Sequence, residues 1–159
     1  MSKKKKTQPT EKIIKNKKLK TTSHVEEGLR KSFGCIINEI LEAEMDELLG
    51  NEKYKHIVEK KENYRNGYSK KILRSSFGNV EIEIPRDRNT EFNPVIVPKH
   101  TRNIFELEKQ IIKLYTEKNT RRSIIKFVES VYGSNVAKNL INNIIDRILP
   151  EIERWKFSC

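Results

Sequence analysis

Three sets of side chains in this sequence have types and spacings that chemistry could use. The first set is acidic. Glu81, Glu83 and Asp87 lie close together, and Glu42 and Asp46 stand four residues apart. Carboxylates that converge in a pocket can hold metal ions for phosphoryl transfer. These two groups read instead as solvated faces, one on a strand whose acids have cross-strand partners and one on a helix. His24, His56 and His100 are scattered, with no nucleophile pattern around them. Cys35 and Cys159 lie far from any CxxC or Cys/His spacing, so no zinc site or disulfide framework is readable. A reduced, cytosolic protein fits this usage.

The second set is basic. Arg65, Lys70, Lys71, Arg74, Arg86 and Arg88 gather in one stretch, and Arg121 and Arg122 open a helical segment. Arginine and lysine contact phosphate, and the N–H groups at a helix start add to such a contact. The third set is amide-rich: Lys138, Asn139, Asn142 and Asn143, with Arg147 beyond them, mark the polar side of a helical pattern. Asparagine can pair bidentately with adenine in the major groove, or can simply fill a polar face. Asp146 would repel phosphate, so the N-terminal half of that helix is the half expected to face a nucleic acid.

The charge is uneven. The chain of 159 residues has a formal net charge of +11. Residues 1–20 hold nine lysines and one glutamate, so +8 of the excess sits there; the other 139 residues carry 24 basic and 21 acidic side chains. Such a tail suits a polyanion, nucleic acid or an anionic membrane, or is a solvated disordered extension. No apolar run approaches the roughly 18 residues of a membrane span. The basic start at Lys3–Lys6 leads into polar sequence, which excludes an export signal there.

The elements that must position these residues follow from periodicity. Phe33, Ile36, Ile37, Ile40, Leu41, Met45, Leu48 and Leu49 recur at helical spacing, predicting an amphipathic helix over 29–49 with Gly50 as its stop. Glu39, Glu42, Glu44, Asp46 and Glu47 fill its polar side. Its apolar face needs a partner, either the rest of the chain or a second copy. Asn66-Gly67 reads as a turn. KILRSSF (71–77) and VEIEIP (80–85) alternate with period two around Gly78-Asn79, which predicts a tight hairpin. The register expected is Phe77 with Val80, Ser75 with Ile82 and Leu73 with Ile84, leaving Arg74 against Glu83 and Ser76 against Glu81 on the wet face. Residues 85–100 hold three prolines and are extended or looped. From 104 to 149 three helices are expected, with Lys118-Asn119 as the first turn, Thr120 as an N-cap, Gly133 closing the second, Ser134 capping the third and Pro150 ending it. Three short helices with tight turns suit a helix-turn-helix unit, and other small bundles share the pattern.

EILEAEMDELLG (39–50), YRNGY (64–68), FGNVEIEIPRDRNTEFNPVIVPKH (77–100) and ILPEIERW (148–155), in that order, resemble the mutator-type bacterial insertion-sequence transposases. The resemblance covers residues 29–155. It implies a DNA-binding region that recognises terminal inverted repeats, ahead of a ribonuclease-H-like domain whose two Asp and one Glu hold a divalent metal such as magnesium. The first of those Asp residues is expected beyond the position of Trp155, so no catalytic residue and no cofactor is carried onto this chain. The family's small glycine-containing turn reads Lys118-Asn119 here, and the hydroxyl-rich start of its recognition helix reads Ala137, Lys138, Asn139, Leu140.

The fold expected is α+β, mostly α: an N-terminal amphipathic helix, a small β-hairpin, then a three-helix helix-turn-helix-like bundle. The organisation expected is a disordered basic tail at 1–23, a helix-plus-hairpin region at 24–100, a DNA-binding bundle at 101–155 and a divergent end at 156–159. The function implied is that of the DNA-binding portion of a transposase, stopping short of the catalytic domain and silent as an enzyme alone. It would act on double-stranded DNA, as a monomer or a homodimer, in the bacterial cytoplasm at the nucleoid, away from membranes. A self-standing repressor of transposition, an inactive remnant of a broken gene and an unrelated RNA-binding protein are the other readings.

Overall fold

The computed structural model describes residues 22–50 and 63–156. The first twenty-one residues, with most of the expected tail, lie outside them, as do His56 and Cys159. The order is α1 (Thr22–Leu49), β1 (Arg65–Ser75), β2 (Gly78–Asp87), α2 (Phe105–Thr116), α3 (Thr120–Tyr132) and α4 (Lys138–Lys156). The α+β, mostly α reading is therefore the architecture found.

Helix α1 begins seven residues before the first expected residue, at Thr22 rather than 29. Phe33, Ile36, Ile37, Ile40, Leu41 and Met45 are completely buried. Each such side chain contributes roughly 1.5–3 kcal/mol through the area it withdraws from water. All of these but Met45 belong to the one core cluster, and α1 packs on the chain's own hairpin and on α4, so the apolar face is used within the chain. Leu48 departs from the pattern and is 39% exposed. Gly50 ends the helix at φ +60, a left-handed conformation that glycine adopts without strain.

The helix also lies along one edge of the hairpin. Asn38 Oδ1 accepts from the backbone N–H of Glu83 at 2.9 Å. A Cβ on Gly34 would stand 3.2 Å from the carbonyl oxygen of Glu81, so any larger residue would push the helix and strand apart by a few tenths of an ångström. A free strand edge is a template for unwanted pairing, and α1 covers part of this one. On the other edge the backbone of Arg74 donates to Arg102 and accepts from Ile104, at 2.9 and 2.8 Å.

The hairpin is antiparallel, but its register differs from expectation. Leu73 pairs with Val80, Lys71 with Ile82 and Lys70 with Glu83. The turn is Ser76-Phe77, not Gly78-Asn79. Three side chains hold it there. Ser75 Oγ accepts from Phe77 N–H and donates to the Gly78 carbonyl, Arg30 donates to the Phe77 carbonyl at 2.7 Å, and Glu108 accepts from Ser76 N–H at 2.9 Å. The partner of Leu73 moves from Ile84 to Val80, an even number of residues. An even slip keeps every side chain on its face, so Leu73, Val80 and Ile82 are buried as the alternation requires. Arg74 stands opposite Asn79, not Glu83. Asn66-Gly67 is not a turn. It is an irregularity inside β1, where the register shifts between Arg65 and Tyr68 and Gly67 takes φ +78.

The irregular stretch after β2 is held by two carboxylates. Asp87 accepts from Asn63 Nδ2 and from the N–H groups of Glu91 and Phe92, at 2.8, 2.8 and 3.1 Å. Glu44 was expected on the solvated face of α1 but is 7% exposed. It accepts from the N–H groups of Val95 and Ile96 at 2.7 and 2.8 Å, and from the Tyr132 hydroxyl. A buried backbone donor must find an acceptor, and here a side chain of α1 supplies one to a segment that has no ladder.

Helix α4 corrects the expectation at both ends. It starts at Lys138 rather than behind a Ser134 cap, with the Ala137 carbonyl accepting from Leu140 and Ile141. It also passes through Pro150 to Lys156. Proline removes one intrahelical hydrogen bond. Beyond it Ile152 is fully buried and Trp155 stacks on Tyr115 at 4.4 Å and 11°, which keeps the last turns helical.

Candidate nucleic-acid interface

The α3–α4 pair presents two clusters. Asn119, not Thr120, caps α3: its Oδ1 accepts from Arg122 N–H at 3.1 Å, and Thr120 is the first helical residue. That cap directs Arg121 and Arg122 outward at the helix start, where both are exposed. Neither has an acidic partner among the described residues. Gly133 ends α3 at φ +97. The chain then turns into α4, on whose first turns Lys138, Asn139 and Asn142 are exposed. Lys138 and Asn142 are one helical turn apart and so lie side by side.

Asn143 and Arg147 do not join them. Asn143 donates to Asp46 at 2.9 Å, and Arg147 donates to Glu39, Asp46 and Asn143 at 3.0, 2.9 and 3.1 Å. Both are half-buried against α1. Burial alone would lower the Arg147 pKa, but the Asp46 and Glu39 carboxylates outweigh it and raise the value. This guanidinium is a structural cation. Asp46, read with Glu42 as a solvated face, is in fact one of its ion-pair partners, and Glu39 is the other. Their pairing with a later helix has no signature in local sequence.

The basic stretch around the hairpin also divides. Arg65 is paired with Glu42 and Asp46, and Tyr68 donates to Glu42 at 2.7 Å, which raises the phenol pKa. Lys70 makes a loose pair with Glu81 at 3.5 Å between exposed side chains, an arrangement worth little. Lys71, Arg74 and Arg86 have no acidic partner among the described residues. Arg88 lies over the Tyr64 ring at 5.6 Å, keeping its charge available. Lys99, which the sequence reading did not single out, is exposed beside them.

Nucleophilic chemistry finds no support at Cys35. Burial, followed by the Glu151 and Glu39 charges, pushes its thiol up to about 12, and thiols react as thiolates. Among the described residues no three His, Cys, Asp or Glu side chains are grouped to hold a metal ion. No helix among them is long and apolar enough to cross a membrane.

A family model described as transposase, mutator family, matches residues 3–158. The chain belongs to this family. It is similar to the transposase for insertion sequence element IS1201 of Lactobacillus helveticus, 34% identical over 138 residues, which are 82% of this chain and 37% of that protein. It is 35% identical over 120 residues to the transposase for insertion sequence element IS905 of Lactococcus lactis, covering 76% of this chain and 31% of the relative. It is 24% identical over 121 residues to the transposase for insertion sequence element IS256 in transposon Tn4001 of Staphylococcus aureus, with 76% and 31% covered. The chain thus spans about a third of the length of these transposases. The acids weighed as metal ligands in the sequence do not converge among the described residues. Glu42 and Asp46 are engaged by arginines, and Glu81 and Glu83 lie exposed on the hairpin.

Proposed function

We propose that this chain supplies DNA recognition to a mutator-family insertion-sequence transposase, binding the terminal inverted repeats of its element at the bacterial nucleoid. The observation that carries the reading is the exposed set Lys138, Asn139 and Asn142 on the first turns of α4, with Arg121 and Arg122 at the start of α3. In a helix-turn-helix the second helix enters the major groove by its N-terminal residues while the first crosses the backbone. On that arrangement Asn139 and Asn142 read base edges, and Lys138, Arg121 and Arg122 fix position on phosphates. Asn143 and Arg147 drop out of the contact set because α1 already holds them. No strand-cleavage step is assigned to these residues.

Fluorescence anisotropy with a terminal-repeat duplex and a scrambled duplex of equal length tests this. Each good bidentate base contact is worth about 1–3 kcal/mol of discrimination. Asn139→Ala with Asn142→Ala is therefore expected to lower the preference for the repeat by at least tenfold. Arg121→Ala with Arg122→Ala should weaken both duplexes alike. An unchanged preference in the asparagine variant would remove α4 as the reading helix.

A further inference from the structure

The irregularity at Asn66-Gly67 and the end of β2 enclose a concave groove with the segment that follows the hairpin. Its volume is about 330 Å³. Lys71, Arg86 and Arg88 line it from the hairpin and its end, and Lys99 from the returning segment; Phe92 and Pro94 contribute apolar surface. The one acid in the lining is Asp87. It is 3% exposed, and Asn63 and two backbone N–H groups already occupy it. Burial pushes its carboxyl up, but those hydrogen bonds outweigh that and hold it below the usual carboxylate range. It stays ionised with its oxygens turned to those donors, and the four cations of the lining outnumber it. Four cations surround one concavity, and Lys71, Arg86 and Lys99 have no acidic partner among the described residues. The neighbouring Arg65, by contrast, is paired with two acids.

Concave clusters of one sign concentrate counter-ions of the other. Four cations in one groove, drawn from the hairpin and its end and from the returning segment, suit a chain of anions better than a single small one. Apart from its charged groups, the lining offers the side chains of Asn66, Ser69 and Thr90 for hydrogen bonds, a sparse set for reading base edges. We propose that this groove seats the phosphodiester backbone of DNA as a second contact that is blind to sequence. The proposal rests on the reading above that the chain binds duplex DNA.

The test uses the full chain, the same two duplexes and salt from 50 to 200 mM. Neutralising three phosphate contacts removes about 0.9 each from the slope of log affinity against log salt. Lys71→Gln, Arg86→Gln and Lys99→Gln together should therefore flatten that slope by about 2.7. The fall in affinity across this salt range then becomes roughly 40-fold smaller than in the parent chain. Affinity at low salt should fall equally for repeat and scrambled DNA, leaving their ratio intact. An unchanged slope in this variant, while the α4 asparagine variant still loses discrimination, would overturn the groove and spare the DNA reading. A parent chain that binds neither duplex overturns both. Loss of discrimination in the groove variant also overturns it, because the contact would then read bases. Lys99→Glu alone, at an exposed position outside the regular elements, is a second variant that does not depend on the triple change folding. It should weaken both duplexes, and unaltered binding sinks the proposal.

Discussion

Glu44→Ala should destabilise the fold by about 3 kcal/mol. The carboxylate is the acceptor for the N–H groups of Val95 and Ile96 and for the Tyr132 hydroxyl. A buried donor left without an acceptor costs roughly 1–3 kcal/mol, and here the Ile96 N–H is buried while the Val95 N–H and the Tyr132 hydroxyl are partly so, which sets the scale. Two effects pull the sum toward its lower end. Desolvation by burial raises the Glu44 pKa, so removing the carboxylate also removes that penalty. Water that enters the space left by the side chain can satisfy part of what is lost. Glu44→Gln makes a sharper comparison. Val95 binds one carboxylate oxygen and Ile96 the other. Either orientation of the amide therefore turns its NH₂ toward a backbone N–H, and one donor is orphaned. Glutamine should cost about 1–2 kcal/mol, less than alanine. At about 2–4 °C per kcal/mol for a chain of this length, the alanine variant melts roughly 6–12 °C lower. Urea denaturation followed by circular dichroism measures both. Equal midpoints for all three proteins, or a glutamine variant weaker than the alanine one, would refute the view that this carboxylate holds the segment after β2.

Two other perturbations read other parts of the same scaffold. The folded Asp87 pKa is lowered, so its stabilisation is complete above the unfolded value of about 3.9 and is withdrawn as pH falls through the lower folded value. Below about pH 4 the parent chain should lose stability more steeply on acidification than Asp87→Asn, and parallel acid limbs in denaturation midpoints would contradict this. Gly78→Ala should cost about 1–3 kcal/mol, because Gly78 has φ +116 and an added Cβ would meet Arg30 Nη1 at 3.0 Å. A thermal melt equal to that of the parent chain would show that the turn tolerates a side chain.

Local periodicity carried most of the architecture. The spacing of Phe33, Ile36, Ile37 and Ile40 is enough to place α1, and the alternation of Leu73, Val80 and Ile82 with charged neighbours is enough to place the buried face of the hairpin. The register was not legible. Gly78-Asn79 is a stronger local turn signal than Ser76-Phe77, but Arg30, Glu108 and the packing of Phe77 on Phe33 come from distant parts of the chain. Pro150 misled for the same reason: its local effect is outweighed by Ile152 and by Trp155 stacked on Tyr115. The candidate contact residues separate along the same line. Lys138, Asn139, Asn142, Arg121 and Arg122 are exposed, as a helical wheel suggests. Arg65, Asn143 and Arg147 carry the same local signal but meet acids of α1 that no window of the sequence brings near them.

Asp46 takes Arg65 from the base of the hairpin on one oxygen and Arg147 from α4 on the other. One side chain of α1 thereby fastens the ribbon and the helical trio into a single caliper. If each jaw grips a duplex, the gap between them is set when the protein folds and not when it binds. The entropy of aligning two grips is then largely spent in advance, so the second engages at a high effective concentration once the first has closed.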